Sequence, residues 1–227
     1  MRPDDRPIEP AAHARNVALI LIDFQRDFCE AGGYMDRLAG VAFAVEAVAR
    51  ARLLLGAARE RGLCVVHTRE GYAPDLSDCT VQRRLRSERA GAPIGGRGPL
   101  GRLLIRGEPG HGFVDSLTPA AGEVVIEKAS YGAFLSGALE AGLRRRGIEH
   151  LFFAGLTADV CVHTTVREAI DRGFFCHYVK DAISTFDADL RRACERMIEV
   201  EGGIWGRLLD SETALGEFSA LPAGPQR

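Results

Sequence analysis

Short apolar runs alternate with longer amphipathic stretches along the chain, and this pattern predicts the secondary structure. Each apolar run has at most six residues, which is too short for a helix and typical of a strand covered on both faces. The runs are residues 17–22, 63–66, 124–126, 151–156 and 174–179. The sequence therefore predicts at least five buried strands.

Helical patterns lie between these runs, and each ends at a glycine, the residue that commonly follows a helix C-terminus. They cover residues 44–58, 134–146, 160–172 and 190–200, followed by Gly62, Gly147, Gly173 and Gly202. Strands that alternate with helices predict a single three-layer α/β/α domain with a mostly parallel sheet. We place this domain at residues 16–215, between an N-terminal extension (1–15) and a C-terminal tail (216–227).

Residues 71–112 interrupt the alternation with nine glycines and four prolines, and contain one short candidate strand at 103–105. A connection of this length usually covers a site or forms a subunit contact, so we expect a lid or an interface. Aromatic residues do not interleave with its arginines, which favours a solvated or interfacial loop over a nucleic-acid site. The arginines considered for such a site are the five up to residue 97, namely Arg83, Arg84, Arg86, Arg89 and Arg97.

The glycine pattern Gly96, Gly98 and Gly101 matches GxGxxG, but it follows no predicted strand and opens no predicted helix. It therefore does not indicate a dinucleotide site.

Composition narrows the class of function. The 227 residues are 46% hydrophobic, enough for a full core, and 29 Lys and Arg face 31 Asp and Glu. A net charge of −2 gives no reason to expect a nucleic-acid or membrane partner, and points to a small molecule. The first fifteen residues lack the apolar segment of a signal peptide. We therefore expect a cytoplasmic protein.

Six cysteines are scattered without CxxC spacing, which predicts free thiols rather than disulfides or a zinc cluster. Cys161 differs from the others in its position. A predicted strand and a three-residue turn precede it, and it lies in the first turn of a predicted helix. Parallel α/β sheets bind ligands at this position, and a helix dipole there favours the thiolate. Cys161 is therefore either a nucleophile or a buried cysteine that packs the start of a helix.

Two further strands end in charged residues, Asp23 and Lys128. A helix dipole supplies about 0.3–1 kcal/mol, whereas lowering a thiol pKa from about 8.5 to about 6.5 requires about 2.7 kcal/mol, so a cation or base must contribute. Parallel strands end along one edge of the sheet, which allows Asp23, Lys128 and Cys161 to converge. Taken singly, Asp23 is equally explained as a helix N-cap and Lys128 as a surface lysine.

The motifs around these three residues resemble the signatures of the isochorismatase-like cysteine hydrolases. They read IDFQRDF from Ile22, EK at Glu127, and GLTADVCV from Gly155. The resemblance implies that Cys161 attacks an amide carbonyl to form a thioester, that Asp23 accepts its proton, and that Lys128 stabilises charge. It also implies a cis peptide bond between Leu156 and Thr157, and an oxyanion hole built by the backbone N–H groups of Thr157 and Cys161.

Within this superfamily, Glu70 and Tyr72 stand where nicotinamidases carry metal-binding residues, so the resemblance implies no metal and no cofactor. Residues 67–78, 106–110 and 161–169 are most similar to biuret hydrolases. The implied reaction is the release of ammonia from a small ureide such as biuret or triuret. The expected substrate contacts are Phe28, Arg69, Glu70 and Glu201, and Glu201 replaces a glutamine of that group, which suits a ligand with more N–H donors.

Two alternatives stay open. One is an N-carbamoyl or ureidoacrylate-type amidase of the same superfamily, and the other is a non-catalytic binding member whose Cys161 is only a redox-sensitive thiol. The intact Asp23 and Lys128 favour an enzyme. His163 lies about 200° around the helix from Cys161, which predicts a structural role. The resemblance also implies a homo-oligomer, either a dimer or a tetramer.

Overall fold

Six parallel strands form the central sheet of the computed structural model, which describes residues 12–222. They are β1 (Val17–Ile22), β2 (Cys64–Glu70), β5 (Val124–Lys128), β6 (His150–Leu156), β7 (Phe175–Ser184) and β8 (Arg207–Leu209). Their order across the sheet is β5-β2-β1-β6-β7-β8. A separate antiparallel hairpin joins β3 (Arg97–Gly98) and β4 (Gly101–Arg102).

Helices cover both faces of the sheet and confirm the predicted three-layer α/β/α architecture. They are α1 (Arg26–Cys29), α2 (Tyr34–Leu38), α3 (Ala44–Glu60), α4 (Val81–Arg89), α5 (Ala138–Arg145), α6 (His163–Asp171), α7 (Ala188–Gly203) and α8 (Ser211–Ala220). Helices α3 and α8 share one hydrophobic core, and α5, α6 and α7 share the other. None of the helices in residues 12–222 is long and apolar enough to span a bilayer.

Strand β1 shows why the sheet is buried on both sides. Its alternate residues Leu19 and Leu21 join the core under α3, whereas Ile20 and Ile22 join the core under α5, α6 and α7. Successive side chains of a strand point to opposite faces, and helices cover both faces here, so all six residues of β1 are buried. The same alternation assigns every residue at the strand ends to one face or the other.

The structure corrects the predicted helix at residues 134–146, because α5 begins only at Ala138. The residues before it form a loop that α6 holds in place: the Ala133 N–H donates to the Thr165 hydroxyl at 3.2 Å, and the Phe134 N–H donates to Glu168 at 3.0 Å. These side-chain acceptors replace helical hydrogen bonds for the loop N–H groups.

Residues 71–112 contain more regular structure than predicted. Helix α4 lies within them, and the side chain of Thr80 caps its N-terminus by accepting from the Arg83 N–H. The prediction of a strand at 103–105 is wrong, since Leu103 and Leu104 form a turn after β4 and Ile105 makes only an isolated β-bridge with Tyr72. The GxGxxG glycines lie in and beside the β3–β4 hairpin, with no helix after them.

The predicted domain boundary after residue 215 falls inside α8 and is corrected. Phe218 is fully buried against Phe152, with ring centroids 4.9 Å apart, so α8 belongs to the domain core. Most of the predicted N-terminal extension and residues 223–227 of the tail lie outside the described residues.

Gly155 in β6 provides a test of this packing. Its φ is +153°, and a Cβ atom there would lie 2.5 Å from the Ile22 carbonyl oxygen of the neighbouring strand. We expect Gly155→Ala to lower the free energy of unfolding by about 2–4 kcal/mol, measured by urea denaturation. Gly142→Ala in α5 is the control, since its site has room and alanine favours a helix by about 1 kcal/mol. Equal stability of the two variants would contradict the account.

Candidate active site

Asp23, Lys128 and Cys161 meet at the carboxyl edge of the sheet, as the sequence predicted. The Lys128 Nζ atom lies 2.6 Å from Asp23 Oδ2 and 3.6 Å from Cys161 Sγ. The Lys128 ammonium also donates to the Ser130 carbonyl at 3.0 Å. The burial of Lys128 excludes a surface lysine, and Asp23 is not a helix N-cap, because the N-cap position of α1 is Gln25.

Asp23 follows β1 in the left-handed region, with φ of +54°, a conformation that aspartate tolerates better than most residues. Its carboxylate is fully buried. One oxygen accepts from Lys128, and the other accepts from the Thr68 hydroxyl at 2.6 Å. These contacts orient the carboxylate inside the site.

Cys161 lies in a π-helical turn, Ala158–Val162, between β6 and α6. The peptide bond between Leu156 and Thr157 is cis, as the family resemblance implied. The Thr165 hydroxyl donates to the Cys161 carbonyl at 2.7 Å and so attaches the turn to α6. The thiol therefore stands next to Lys128 at the end of the strand.

Burial raises the pKa of the Cys161 thiol well above its ordinary value, and the charges of Asp23 and Glu70 raise it further, against the lowering effect of Lys128. This direction agrees with the sequence-based estimate that a helix dipole alone is too weak to produce a thiolate and that a cation or base must contribute. For Lys128, burial lowers the pKa, but the charges of Asp23 and the other neighbouring groups outweigh it and the net pKa is raised. The site holds an ammonium beside a neutral thiol, so the thiol needs a base.

Glu70 is the fourth group of this cluster. Its Oε2 atom lies 3.6 Å from Cys161 Sγ, and its Oε1 atom accepts from the Tyr72 hydroxyl at 2.7 Å. Its backbone is clamped by the Gln25 amide, which accepts from the Glu70 N–H at 2.7 Å and donates to its carbonyl at 2.9 Å. Arg83 reaches the same carboxylate at 3.9 Å. Glu70 is thus held rigidly beside the thiol.

Donor atoms of Asp23, Glu70 and Cys161 lie within 4.8 Å of one another, a spacing that suits the coordination of a metal ion. The Lys128 Nζ atom, however, stands within 3.9 Å of all three donor groups. The positive charge that these groups share is therefore the ammonium of Lys128.

A cavity of about 220 Å³ opens onto Cys161, smaller than typical drug-sized sites. Its apolar lining residues are Phe28, Met35, Leu38, Leu104, Val160 and Phe186. Its polar lining residues are Tyr34, Glu70, Arg86, Tyr131, Thr157 and Asp159. The predicted Phe28, Glu70 and Thr157 are therefore at the cavity.

The predicted substrate contact of Arg69 is wrong. Arg69 and Glu70 are neighbours in β2, and their side chains point to opposite faces of the sheet. Arg69 forms an ion pair with Glu127 and lies over the ring of Phe113, 5.2 Å from its centroid. It does not line the cavity.

The predicted contact of Glu201 is also wrong. Glu201 is exposed and lies at a kink near the end of α7, where the backbone from Val200 to Gly202 leaves helical geometry, and α7 begins about three turns earlier at the carboxyl edge of the sheet. The next two glycines line a surface depression with Phe175 at the amino end of β7. Glu201 therefore stands at the opposite end of the sheet from Cys161.

His163 faces away from the cavity at Cys161, as its position on the predicted helix indicated. Its Nδ1 atom accepts from Arg167 at 2.9 Å, and its ring lines a groove with Cys194 and Met197 instead of the cavity at Cys161.

Sequence reasoning missed the contribution of α4. Arg83 lies over the Tyr131 ring at 3.9 Å and donates to Tyr72 at 3.3 Å, while Arg86 donates to the Tyr34 hydroxyl at 2.6 Å. The assignment of these two arginines to a solvated or interfacial loop is therefore wrong. Their i,i+3 spacing places them on one helix face. This spacing is visible in the sequence, but no apolar residues on the same face indicate that it points into the protein.

Replacing Lys128 tests the electrostatics of the thiol. Because the ammonium lowers the thiol pKa, we expect Lys128→Met to move the pH midpoint of Cys161 alkylation by iodoacetamide upward by about one to three units. Lys180→Met is the control, because Lys180 is a partly exposed residue of β7, and we expect it to leave the midpoint unchanged. An unmoved midpoint in folded Lys128→Met would contradict the account. If that variant unfolds, Asp23→Asn/Lys128→Met removes both charges and permits the same measurement.

Comparison with known proteins agrees with this geometry. Residues 17–205 match the isochorismatase domain family. The chain is 31% identical over 191 residues to the ureidoacrylate amidohydrolase RutB of Caulobacter vibrioides, covering 80% of each protein. It is 31% identical over 231 residues to the ureidoacrylate amidohydrolase RutB of Methylobacterium radiotolerans, covering 98% of this chain and 87% of that protein.

Solved structures show the same fold. A cysteine hydrolase from Pseudomonas syringae pv. phaseolicola superposes with a TM-score of 0.80 at 23% identity, covering 95% of this chain and 99% of that one. N-carbamoylsarcosine amidase from Thermoplasma acidophilum superposes with a TM-score of 0.66 at 24% identity, covering 87% and 97%. The resemblance of the three strand-end motifs is confirmed, and the chain belongs to the isochorismatase family.

Proposed function

We propose that this protein is a cysteine amidohydrolase that cleaves an amide C–N bond of a small linear ureide, of the ureidoacrylate or N-carbamoyl type. The observation that carries the proposal is the position of Lys128, 2.6 Å from the Asp23 carboxylate and 3.6 Å from the Cys161 sulfur, at one cavity. A base, a cation and a thiol in this order form the arrangement that activates a nucleophile.

The first half of the reaction acylates the enzyme. Asp23 takes the proton of the Cys161 thiol, and the sulfur attacks the carbonyl carbon of the substrate. Lys128 stays an ammonium and stabilises the negative charge as it moves from carboxylate to sulfur to oxygen. The backbone N–H groups of Thr157 and Cys161 are the proposed donors to the oxyanion. The C–N bond then breaks, the amine leaves with the proton from Asp23, and the acyl group remains on sulfur.

The second half releases the product. A water molecule loses a proton to Asp23 and attacks the carbonyl of the S-carbamoyl group. The bond between carbon and sulfur breaks, and Cys161 recovers its proton from Asp23. The carbamic acid released decomposes to ammonia and carbon dioxide. The raised pKa of the thiol suits this step, because the resting state holds a neutral thiol instead of a thiolate.

Glu70 is the proposed acceptor for the substrate N–H groups. A ureide presents N–H donors on both sides of its carbonyl, and an ionised carboxylate only accepts hydrogen bonds. Its Oε1 atom is engaged by Tyr72, whereas its Oε2 atom lies 3.6 Å from the thiol, beside the place where the carbonyl must bind. In this proposal Glu70 takes the role of N–H acceptor that the sequence interpretation gave to Glu201.

The apolar half of the cavity favours a ureidoacrylate or N-carbamoyl substrate over biuret and triuret. Phe28, Met35 and Leu104 present apolar surface that matches a hydrocarbon segment. Biuret consists only of carbonyl and N–H groups, and burying these against apolar walls without partners costs free energy. The triuret argument rested on Glu201, which stands at the other end of the sheet. The names of the curated relatives support the same preference.

Ammonia release from a substrate panel tests the proposal. The panel contains ureidoacrylate, N-carbamoylsarcosine, biuret and triuret at neutral pH, with and without chelator. We expect release that a chelator does not change and that is fastest with ureidoacrylate. Cys161→Ser is expected to lower kcat/KM by about 10³-fold or more, because a triad acts as a unit. Cys64→Ser, at the amino end of β2, is the matched control and keeps the wild-type rate.

Two outcomes would count against the proposal. A Cys161→Ser enzyme that keeps more than a tenth of the wild-type rate would exclude the nucleophile. A wild-type enzyme that is silent across the panel while Cys161 still reacts with iodoacetamide would exclude the ureide substrates.

A further inference from the structure

Arg86 lines the cavity at Cys161 without an acidic partner. Its Nη1 atom donates to the Tyr34 hydroxyl at 2.6 Å, and no carboxylate of the described residues forms an ion pair with it. Its Nε atom is buried and makes no hydrogen bond within residues 12–222. A guanidinium has five N–H donors, and charges shielded from water are normally paired. The charge of Glu70 acts on Arg86 only from beyond ion-pair distance, so among the described residues the N–H donors of Arg86 other than the one bound to Tyr34 are available to an anionic group of a ligand.

Arg83, one turn earlier in α4, shows the contrast. It approaches Glu70 at 3.9 Å, donates to Tyr72 and covers the ring of Tyr131. Its charge is thus used inside the protein. Lys128 is likewise balanced by Asp23. Among the basic groups at the site, Arg86 is the one that remains available for a ligand.

The helix holds Arg86 in a defined position. Thr80 caps its N-terminus, and near its other end the buried Ser87 hydroxyl donates to the Arg84 carbonyl at 2.8 Å and accepts from the Ile94 N–H at 3.1 Å. These contacts tie α4 to the chain that follows it. Arg86 is therefore presented by a rigid element, as a specific binding group requires.

Tyr34 adds a second donor at the same place. Its side chain is buried, and its hydroxyl oxygen accepts from Arg86, so its own proton is free for a further acceptor. Burial raises the pKa of Tyr34, which keeps the phenol protonated. The guanidinium has only N–H donors, and the phenol oxygen already accepts from it, so the pair offers N–H and O–H donors to a carboxylate.

We propose that Arg86 and Tyr34 form a subsite for the carboxylate of the substrate, so that this enzyme selects ureido acids over neutral ureides. The inference rests on the proposed function and names the substrate class of the same site. Glu70 binds the N–H groups of the substrate's ureido group beside the thiol, and Arg86 binds the substrate's carboxylate. Opposite charges at two places in one cavity orient a molecule that has a ureido group and a carboxylate.

A binding experiment that needs no turnover tests the subsite. Iodoacetamide is neutral and alkylates Cys161, and the reaction is followed by mass spectrometry of the peptide that carries this residue. Protection is measured with 3-ureidopropionate and with its neutral amide, 3-ureidopropionamide. We expect the acid to protect the wild-type protein at concentrations about 10- to 100-fold lower than the amide, the range that a charge-assisted hydrogen bond supplies.

Arg86→Gln is expected to remove this preference, so that acid and amide protect equally. Arg84→Gln is the matched control, because Arg84 is an exposed arginine of the same helix and does not line the cavity. Arg86→Lys is expected to restore part of the preference, since it keeps the charge without the planar geometry. If Arg86→Gln does not fold, Tyr34→Phe removes the second donor and is expected to reduce the preference several-fold.

The outcomes separate the subsite from the reaction. Equal protection by acid and amide in the wild type, or an unchanged preference in Arg86→Gln, overturns the carboxylate subsite. Ammonia release from biuret as fast as from ureidoacrylate, unaffected by Arg86→Gln, overturns the subsite and leaves the amidohydrolase proposal standing. Selective protection by the acid without turnover of any ureide upholds the subsite and overturns the proposed reaction.

Discussion

A buried ammonium group is stable only where anions and acceptors replace the water it has lost, and Lys128 has such an environment at the end of the sheet. Burial lowers its pKa, and the charges of Asp23 and Glu70 more than compensate. The chain has only two lysines, Lys128 and Lys180, and all its other basic side chains of this class are arginines. One of these two rare lysines occupies this buried position. Removing one member of such a cluster leaves uncompensated charge, which typically costs about 3–5 kcal/mol.

The parallel sheet is what allows this ion cluster to form. In the register of β2 and β5, Glu70 pairs with Lys128, so the two strand ends deliver their charges side by side. Strand β1 lies on the other side of β2 and delivers Asp23 from the next position along the edge. The core fixes the strands, the register fixes the strand ends, and the strand ends fix the distances between base, cation and thiol.

Strand ends were the most predictable feature of this protein, because apolar runs and their charged terminal residues are visible in the sequence. Side-chain direction was predictable in principle: alternation in β2 excludes Arg69 and Glu70 from a shared pocket. Glu201 could not be placed, because its position depends on the length and path of α7. The role of α4 was hidden because its inward face carries Arg83, Arg86 and Ser87 instead of apolar residues.

The account depends on a covalent bond between substrate and Cys161. Rapid acid quench during turnover of ureidoacrylate, followed by mass spectrometry of the peptide that carries Cys161, tests this claim directly. The account predicts that this peptide gains the mass of the carbamoyl group that remains on sulfur after the C–N bond breaks. Consumption of substrate with no adduct on Cys161, or with the adduct on another cysteine, would contradict it.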